Sequence, residues 1–282
     1  MTAVHLVCDS TADLDPGFRA AHTVRVVPLK VIFGEETYSD GVDISDEAFY
    51  ARLAKPGPFP RTSQPTPAEF EAVFRELGSD GGAVVCTTIS SDLSGTYASA
   101  TQARAAVPDM DVRVVDTRSV AVGHYAVVRE AVRVVEAGGD ADAVIAAISA
   151  VQNTARVLFT VETLEFLRRG GRIGGARALL GSMLDIKPVL EIRDGAIEPV
   201  ARVRTYRKAV DRVLEEFSRA ATAWGGAELI VAHADRPKVA AALVERMRSQ
   251  AAGTPSLTVV GPVIGCHSGP GAIGVGFYKP LR

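Results

Sequence analysis

Residues 86–104 read CTTISSDLSGTYASATQAR, and six hydroxyls crowd together there: Thr87, Thr88, Ser90, Ser91, Ser94 and Thr96. An apolar run, Ala83-Val84-Val85-Cys86, leads into them and a helix-like stretch follows. A junction of that kind offers backbone N–H groups that the helix does not use, and it suits an anion. Asp9-Ser10-Thr11 and Asp116-Thr117 occupy similar strand-end positions. Each of these residues taken alone also reads as a helix cap or turn former.

Other chemistries find no support. Gly269-Pro270-Gly271-Ala272-Ile273-Gly274 matches a dinucleotide-loop spacing, but only eight residues follow it, too few for the helix, strand and acid of such a fold. No Gly-Lys-Ser/Thr phosphate loop is present, and Ser94 lies in Asp92-Leu93-Ser94-Gly95 rather than in a nucleophile elbow. Cys266 and His267 are adjacent; in an extended segment they would point to opposite faces. The five histidines show no metal-ligand spacing, and the three cysteines form no CxxC pair and no disulfide framework. The expectation is that there is no catalytic residue, no metal and no cofactor.

These residues sit in a chain of 282 residues, 47% hydrophobic and 23% charged, with a formal charge of −2. The length suits one large or two ordinary domains, and the charge gives no case for nucleic acid. The N-terminus lacks a basic leader, and no run approaches the roughly 20 apolar residues of a membrane span. A cytoplasmic protein is expected.

The elements that must position the hydroxyls alternate between strand and helix. Strands are expected at 5–8, 23–33, 82–89 and 112–115, and helices at 45–53, 67–77, 93–107, 122–137 and 140–152. The stretch 55–67 carries five prolines and reads as a loop. That alternation implies a mainly parallel sheet with ligands at the carboxyl ends of its strands. After about residue 155 the pattern changes. Strands are expected at 157–161, 187–192, 197–203, 228–234 and 257–263, with helices at 205–222 and 236–251. Asp194-Gly195 between two apolar runs signals a hairpin. The reading is a two-domain α/β protein: an N-terminal, mainly parallel α/β domain (1–155) and a C-terminal mixed α/β domain (156–282). The extreme C-terminus is expected to be able to pack back on the first, with the ligand between or beside them.

Several segments together resemble the DegV family of bacterial fatty-acid-binding proteins. They are Asp9-Ser10-Thr11-Ala12-Asp13-Leu14, Thr62-Ser63-Gln64-Pro65-Thr66-Pro67, Ile89-Ser90-Ser91-Asp92-Leu93-Ser94-Gly95-Thr96-Tyr97, Leu167-Arg168-Arg169-Gly170-Gly171-Arg172-Ile173, Lys187-Pro188 and His267-Ser268-Gly269-Pro270-Gly271-Ala272. Their order covers nearly the whole chain. Thr66 stands where serine is common in the family, and Arg168-Arg169 precede the Gly-Gly where lysine is often near.

The resemblance implies a carrier rather than an enzyme. A long-chain fatty acid is bound with its tail buried and its carboxyl group presented to a separate ATP-dependent fatty-acid kinase. The carrier then takes the acyl-phosphate onward, with transient contact to an acyltransferase or membrane. Carried over to this sequence, Thr62, Ser94 and His267 would hold the head group, with Gly95 letting backbone approach it. Arg172 and Arg204 would form a rim for phosphate or for the partner. Without a ligand, Ser94 is a helix cap, Thr62 a turn hydroxyl, His267 a structural histidine and the arginines a solvated face. Leu158, Phe159, Leu164, Phe166, Leu167, Leu179, Leu180, Met183 and Leu184 are candidates for an apolar tunnel. The rival readings are a small-molecule enzyme using Ser94 or His267, and a sensor module for another amphipathic metabolite.

Overall fold

The structure is a computed structural model and describes residues 3–180 and 186–281. Met183 and Leu184 lie outside the described residues. The chain begins with β1 (Val4–Asp9), α1 (Pro16–Ala21) and β2 (Val24–Val27), then β3 (Lys30–Phe33), β4 (Glu36–Ser39) and α2 (Asp46–Leu53). There follow β5 (Arg61–Ser63), α3 (Pro67–Leu77), β6 (Ala83–Thr88), α4 (Thr96–Ala105), β7 (Val112–Asp116), α5 (Val122–Glu136) and α6 (Ala141–Gln152). The remainder is β8 (Arg156–Thr160), α7 (Glu165–Arg169), β9 (Lys187–Arg193), β10 (Ala196–Val203), α8 (Tyr206–Trp224), β11 (Glu228–His233), α9 (Pro237–Met247), β12 (Ser256–Val259), α10 (Pro262–Ser268) and β13 (Ile273–Tyr278).

Three sheets result. A parallel sheet has the order β2-β1-β6-β7, a mixed sheet the order β10-β9-β8-β13-β11-β12, and a small antiparallel sheet the order β4-β3-β5. Every residue of β6 is buried, as a central parallel strand covered on both faces requires. Phe70 and Phe74 of α3 and Ala100 and Ala103 of α4 cover one of its faces. On the mixed sheet, Val213 and Phe217 of α8 and Val244 and Met247 of α9 pack against Leu158, Val231, Val275 and Phe277. One further cluster takes Leu6 and Val85 from the parallel sheet, Val122 and Val127 from α5, and Leu190 and Ile230 from the mixed sheet. The boundary drawn at 155/156 falls between α6 and β8, and α10 makes contacts with α2, β3 and β5.

Four expectations are corrected. The 23–33 strand splits at Pro28-Leu29, so its halves join different sheets. The proline-rich 55–67 stretch contains a strand, because Arg61-Thr62-Ser63 is proline-free and can pair at a sheet edge with β3. The 93–107 helix begins at Thr96, after a turn in which the N–H groups of Leu93 and Ser94 bond to Ser90 O. The 257–263 strand ends at Val259, since Pro262 opens α10, and the buried strand β13 was not anticipated. The Asp194-Gly195 hairpin is present, with both residues at positive φ as a two-residue turn demands.

The N-terminus of α10 is held from afar. Gly261 precedes it and supplies no side-chain cap. Two buried carboxyl groups stand beside it: a Cβ at Gly261 would lie 2.6 Å from Asp13 Oδ1 and 3.7 Å from Asp40 Oδ1. Ser10 Oγ donates to Asp40 Oδ2 at 2.7 Å, and Thr258 Oγ1 donates to Asp13 O at 2.6 Å. Tyr50 OH donates to Val260 O at 2.8 Å. Burial, reinforced by Asp40 and Asp46, pushes Asp13 well above the carboxylate range. Burial pushes Asp40 up to about 7 against the Ser10 bond that lowers it.

A raised carboxyl binds its proton more tightly in the folded state. Its contribution to stability is therefore full below the ordinary value of 3.8 and is lost as pH rises through about 7. Asp40→Asn keeps an oxygen acceptor but has no such dependence. Its stability relative to wild type should rise between about pH 4 and 7 by on the order of 4 kcal/mol, then level off. Unfolding free energies of both proteins across that range test this; a constant difference would contradict it.

Candidate functional site

A cavity opens between the carboxyl end of the parallel sheet and the face of the mixed sheet. Its volume, counted as the space that the centre of a water-sized sphere can reach, is about 100 Å³. Leu29, Ile89 and Leu93 line it from loops, Val122 from α5, Phe159 from β8, Leu167 from α7, Val263 and Ile264 from α10, Ala232 from β11 and Gly274 from β13. Such a wall attracts an aliphatic group and offers a charge nothing.

The polar residues of the lining include Thr62, Ser94, Arg172 and His267, and these four are gathered. Thr62 Oγ1 lies 2.9 Å from His267 Nε2, bringing β5 and α10 together across 205 residues of sequence. Arg172 Nε donates to the carbonyl of Leu93, the residue before Ser94, at 3.0 Å, and Nη1 donates to Gly170 O at 2.8 Å. Two of its five donors are thereby used. Ser94 Oγ lies 2.9 Å from Thr96 Oγ1 and accepts from the Thr96 N–H at 3.3 Å.

His267 is neutral. Burial, with the Arg172 charge beside it, lowers its pKa to about 4. Its Nδ1 is buried without a hydrogen-bond partner among the described residues. We therefore assign the proton to Nε2, where it faces Thr62. Thr62 then accepts from the ring and keeps its own hydroxyl hydrogen to donate into the cavity. The Gly-Gly-Arg sequence backs this arrangement. A Cβ at Gly170 would stand 2.1 Å from His267 Nδ1, and Gly171 turns the chain at φ +72° to bring Arg172 to the mouth.

The structure places the other candidates differently. Gly95 is absent from the lining; the space of its missing side chain is taken by Gln64, which a Cβ would strike at 2.3 Å. Arg204 is exposed and also absent from the lining. It lies seven residues along and beyond β10 from the lining residue Ile197, roughly 20 Å at about 3.3 Å per residue. Of the tunnel candidates, Phe159 and Leu167 line the cavity. Leu158 packs against α8 and α9 on the opposite face of β8, and Leu164, Phe166, Leu179 and Leu180 are not in the lining.

Three other hydroxyls of the cluster join elements. Thr87 Oγ1 meets the buried His124 Nε2 at 3.0 Å, Thr88 Oγ1 donates to Val115 O at 3.5 Å, and Ser90 Oγ donates to Gly195 O at 2.7 Å, clasping the hairpin tip. Cys266 and His267 share α10 rather than an extended segment, and burial pushes the thiol of Cys266 up, away from reactivity. Ser94 and His267 are bonded to Thr96 and Thr62 and not to each other. Among the described residues no cluster of His, Cys, Asp or Glu could hold a metal ion. Sequence reasoning missed Val122, Ala232 and Gly274. The period-2 glycines of Ile273–Tyr278 were the available signal, since glycine inside a strand marks a close approach.

A family model described as an uncharacterised protein of the DegV family matches residues 3–280. A DegV domain-containing protein of Halalkalibacterium halodurans is 39% identical over 280 residues, 99% of each chain. One of Streptomyces coelicolor is 40% identical over 279 residues, covering 96% of this chain and 97% of its own. Among solved structures, a fatty-acid-binding DegV family protein from Thermus thermophilus superposes with a TM-score of 0.93 at 35% identity, covering 99% of this chain and 100% of that one. DegV of Bacillus subtilis, a fatty-acid-binding protein, gives 0.91 at 31% identity with the same coverage. A stearic-acid-binding protein from Eubacterium ventriosum gives 0.90 at 31%, with 99% and 98% covered.

The neutral ring makes a direct test. Because its pKa is lowered, His267 contributes stability above about 6.5 that is lost as pH falls toward about 4. Nitrogen NMR of the imidazole should report an Nε2–H tautomer at neutral pH and titration near 4. A ring that titrates at the ordinary value would refute the buried, neutral assignment.

Proposed function

The chain belongs to the DegV family, and from that premise we propose that its cavity binds a long-chain fatty acid with the tail inside and the carboxylate at the mouth. One observation carries the reading: an apolar cavity meets Thr62, Ser94, Arg172 and His267 in a single polar cluster. A carboxylate withdrawn from water needs donors. The hydroxyls of Thr62 and Ser94 supply them, and the exposed Arg172 supplies charge. A neutral His267 orients Thr62 without placing a second cation in the site. The solved relatives described as fatty-acid-binding support the same ligand.

The protein acts as a carrier. In this reading a separate kinase reaches the carboxylate at the mouth, and a carboxylate oxygen attacks the γ-phosphorus of ATP and releases ADP. The acyl-phosphate stays in the cavity for delivery to an acyltransferase, all in the cytoplasm. Guanidinium groups suit the developing charge and the docking of the partner. Arg172 serves at the carboxylate itself. Arg204, farther along the surface, serves in docking. An enzyme reading would need a base beside Ser94, and the bonds of Ser94 and His267 lead elsewhere.

Burying a sixteen-carbon tail is worth about 10 kcal/mol before costs, whereas one hydrogen bond to a charged group is worth roughly 1.5–3. Ser94→Ala and Thr62→Ala should therefore still retain lipid but bind the free acid about 10- to 150-fold more weakly, with little change for its methyl ester. Arg204→Ala should keep its lipid and lose turnover with a cognate kinase, more so at low salt. Mass spectrometry of extracted lipid and titration with acid and ester test the ligand. Recovery of no lipid, with no uptake of added fatty acid, would overturn the reading.

A further inference from the structure

Glycine inside a strand gives up packing, so its presence there asks for a cause. β13 carries two on one face, Gly274 and Gly276, and their surroundings differ. At Gly276 a Cβ would lie 3.0 Å from both Cβ and Cγ2 of Val122 and 3.1 Å from its carbonyl oxygen. The first turn of α5 therefore rests on the strand there. At Gly274 the only neighbour within 4 Å among the described residues is Val122 Cγ2 at 3.9 Å, an ordinary contact. Gly274 lines the cavity, and its cross-strand partners Phe159 and Ala232 do so too. The sheet thus has a shallow apolar hollow at Gly274 and Ala232, flanked by Val122.

No atom of the polar cluster stands within 4 Å of that Cβ position, so the hollow suits hydrocarbon and not a head group. We propose that it receives the terminal methyl end of the acyl chain, and that Gly274 sets the greatest chain length the protein accepts. The inference rests on the fatty-acid reading and adds to it a specificity-determining residue. Gly274 has no positive φ, so alanine or valine fits the strand backbone, and β-branched residues favour it. An added side chain would fill volume that the ligand otherwise takes.

Delipidated wild type, Gly274→Ala and Gly274→Val are offered an equimolar series of saturated straight-chain acids from lauric to stearic, and bound lipid is quantified by mass spectrometry. The favoured length should shorten by about one carbon in G274A and about three in G274V, one for each carbon added. Affinity for the wild-type favourite should fall about fourfold for each methylene that no longer fits. Ala232→Val fills the same hollow and should shift the profile likewise, which keeps the test intact if G274V does not fold. Folded variants with the wild-type length profile would overturn the role of Gly274 while leaving the ligand reading in place. Wild type that takes up none of the acids would overturn both.

Discussion

Two buried carboxyl groups without an ion-pair partner among the described residues, Asp13 and Asp40, stand against the start of α10, the helix that carries His267 to the polar mouth of the cavity. Unsatisfied N–H groups at a helix start attract an acceptor, and here the carboxyl groups beside them come from segments more than 200 residues away in sequence. The other end of the same helix presents His267 to Thr62. A short helix of seven residues has little stability of its own, so its position is decided by what grips its ends. The Asp9–Leu14 motif also braces the cavity wall, since Asp9 Oδ2 accepts from the Ile89 N–H and Thr11 O from the Ala121 N–H.

The same economy applies to the hydroxyl cluster that begins at Thr87. Ser90 clasps the hairpin tip, and Thr87 and Thr88 join strands and helices. Ser94 alone of the cluster lines the cavity. A buried hydroxyl that lacks a partner costs more than a bonded one contributes, so most of these groups are committed to the fold. Ser94 sits at the mouth, where its remaining capacity can meet a ligand.

Glycines that surround the site work by the space they leave. Gly170 admits the His267 ring, Gly95 admits Gln64, and Gly274 leaves room inside the cavity. The three are alike in sequence and different in purpose. What distinguishes them is the atom that stands where a Cβ would be.

Local pattern determined much of this protein by itself. The alternation of apolar runs and caps located β1, β6, β7, α2, α3, α5 and α6, and Asp194-Gly195 located the β9–β10 turn, because periodicity and turn chemistry act over a few residues. The family motifs named Thr62, Ser94, Arg172 and His267 before their contacts were visible. Tertiary structure decided the rest. It made a strand of Arg61–Ser63 through pairing with β3, and set the helix Pro262–Ser268 against carboxyl groups from distant segments. It filled the space at Gly95 with Gln64, set Arg204 apart from the mouth, and gave Val122, Ala232 and Gly274 to the cavity. The physical reason is common to all of these. A hydrogen-bond partner, a sheet neighbour or a cavity wall supplied by a distant segment leaves no mark on local spacing, and only folding brings it within reach.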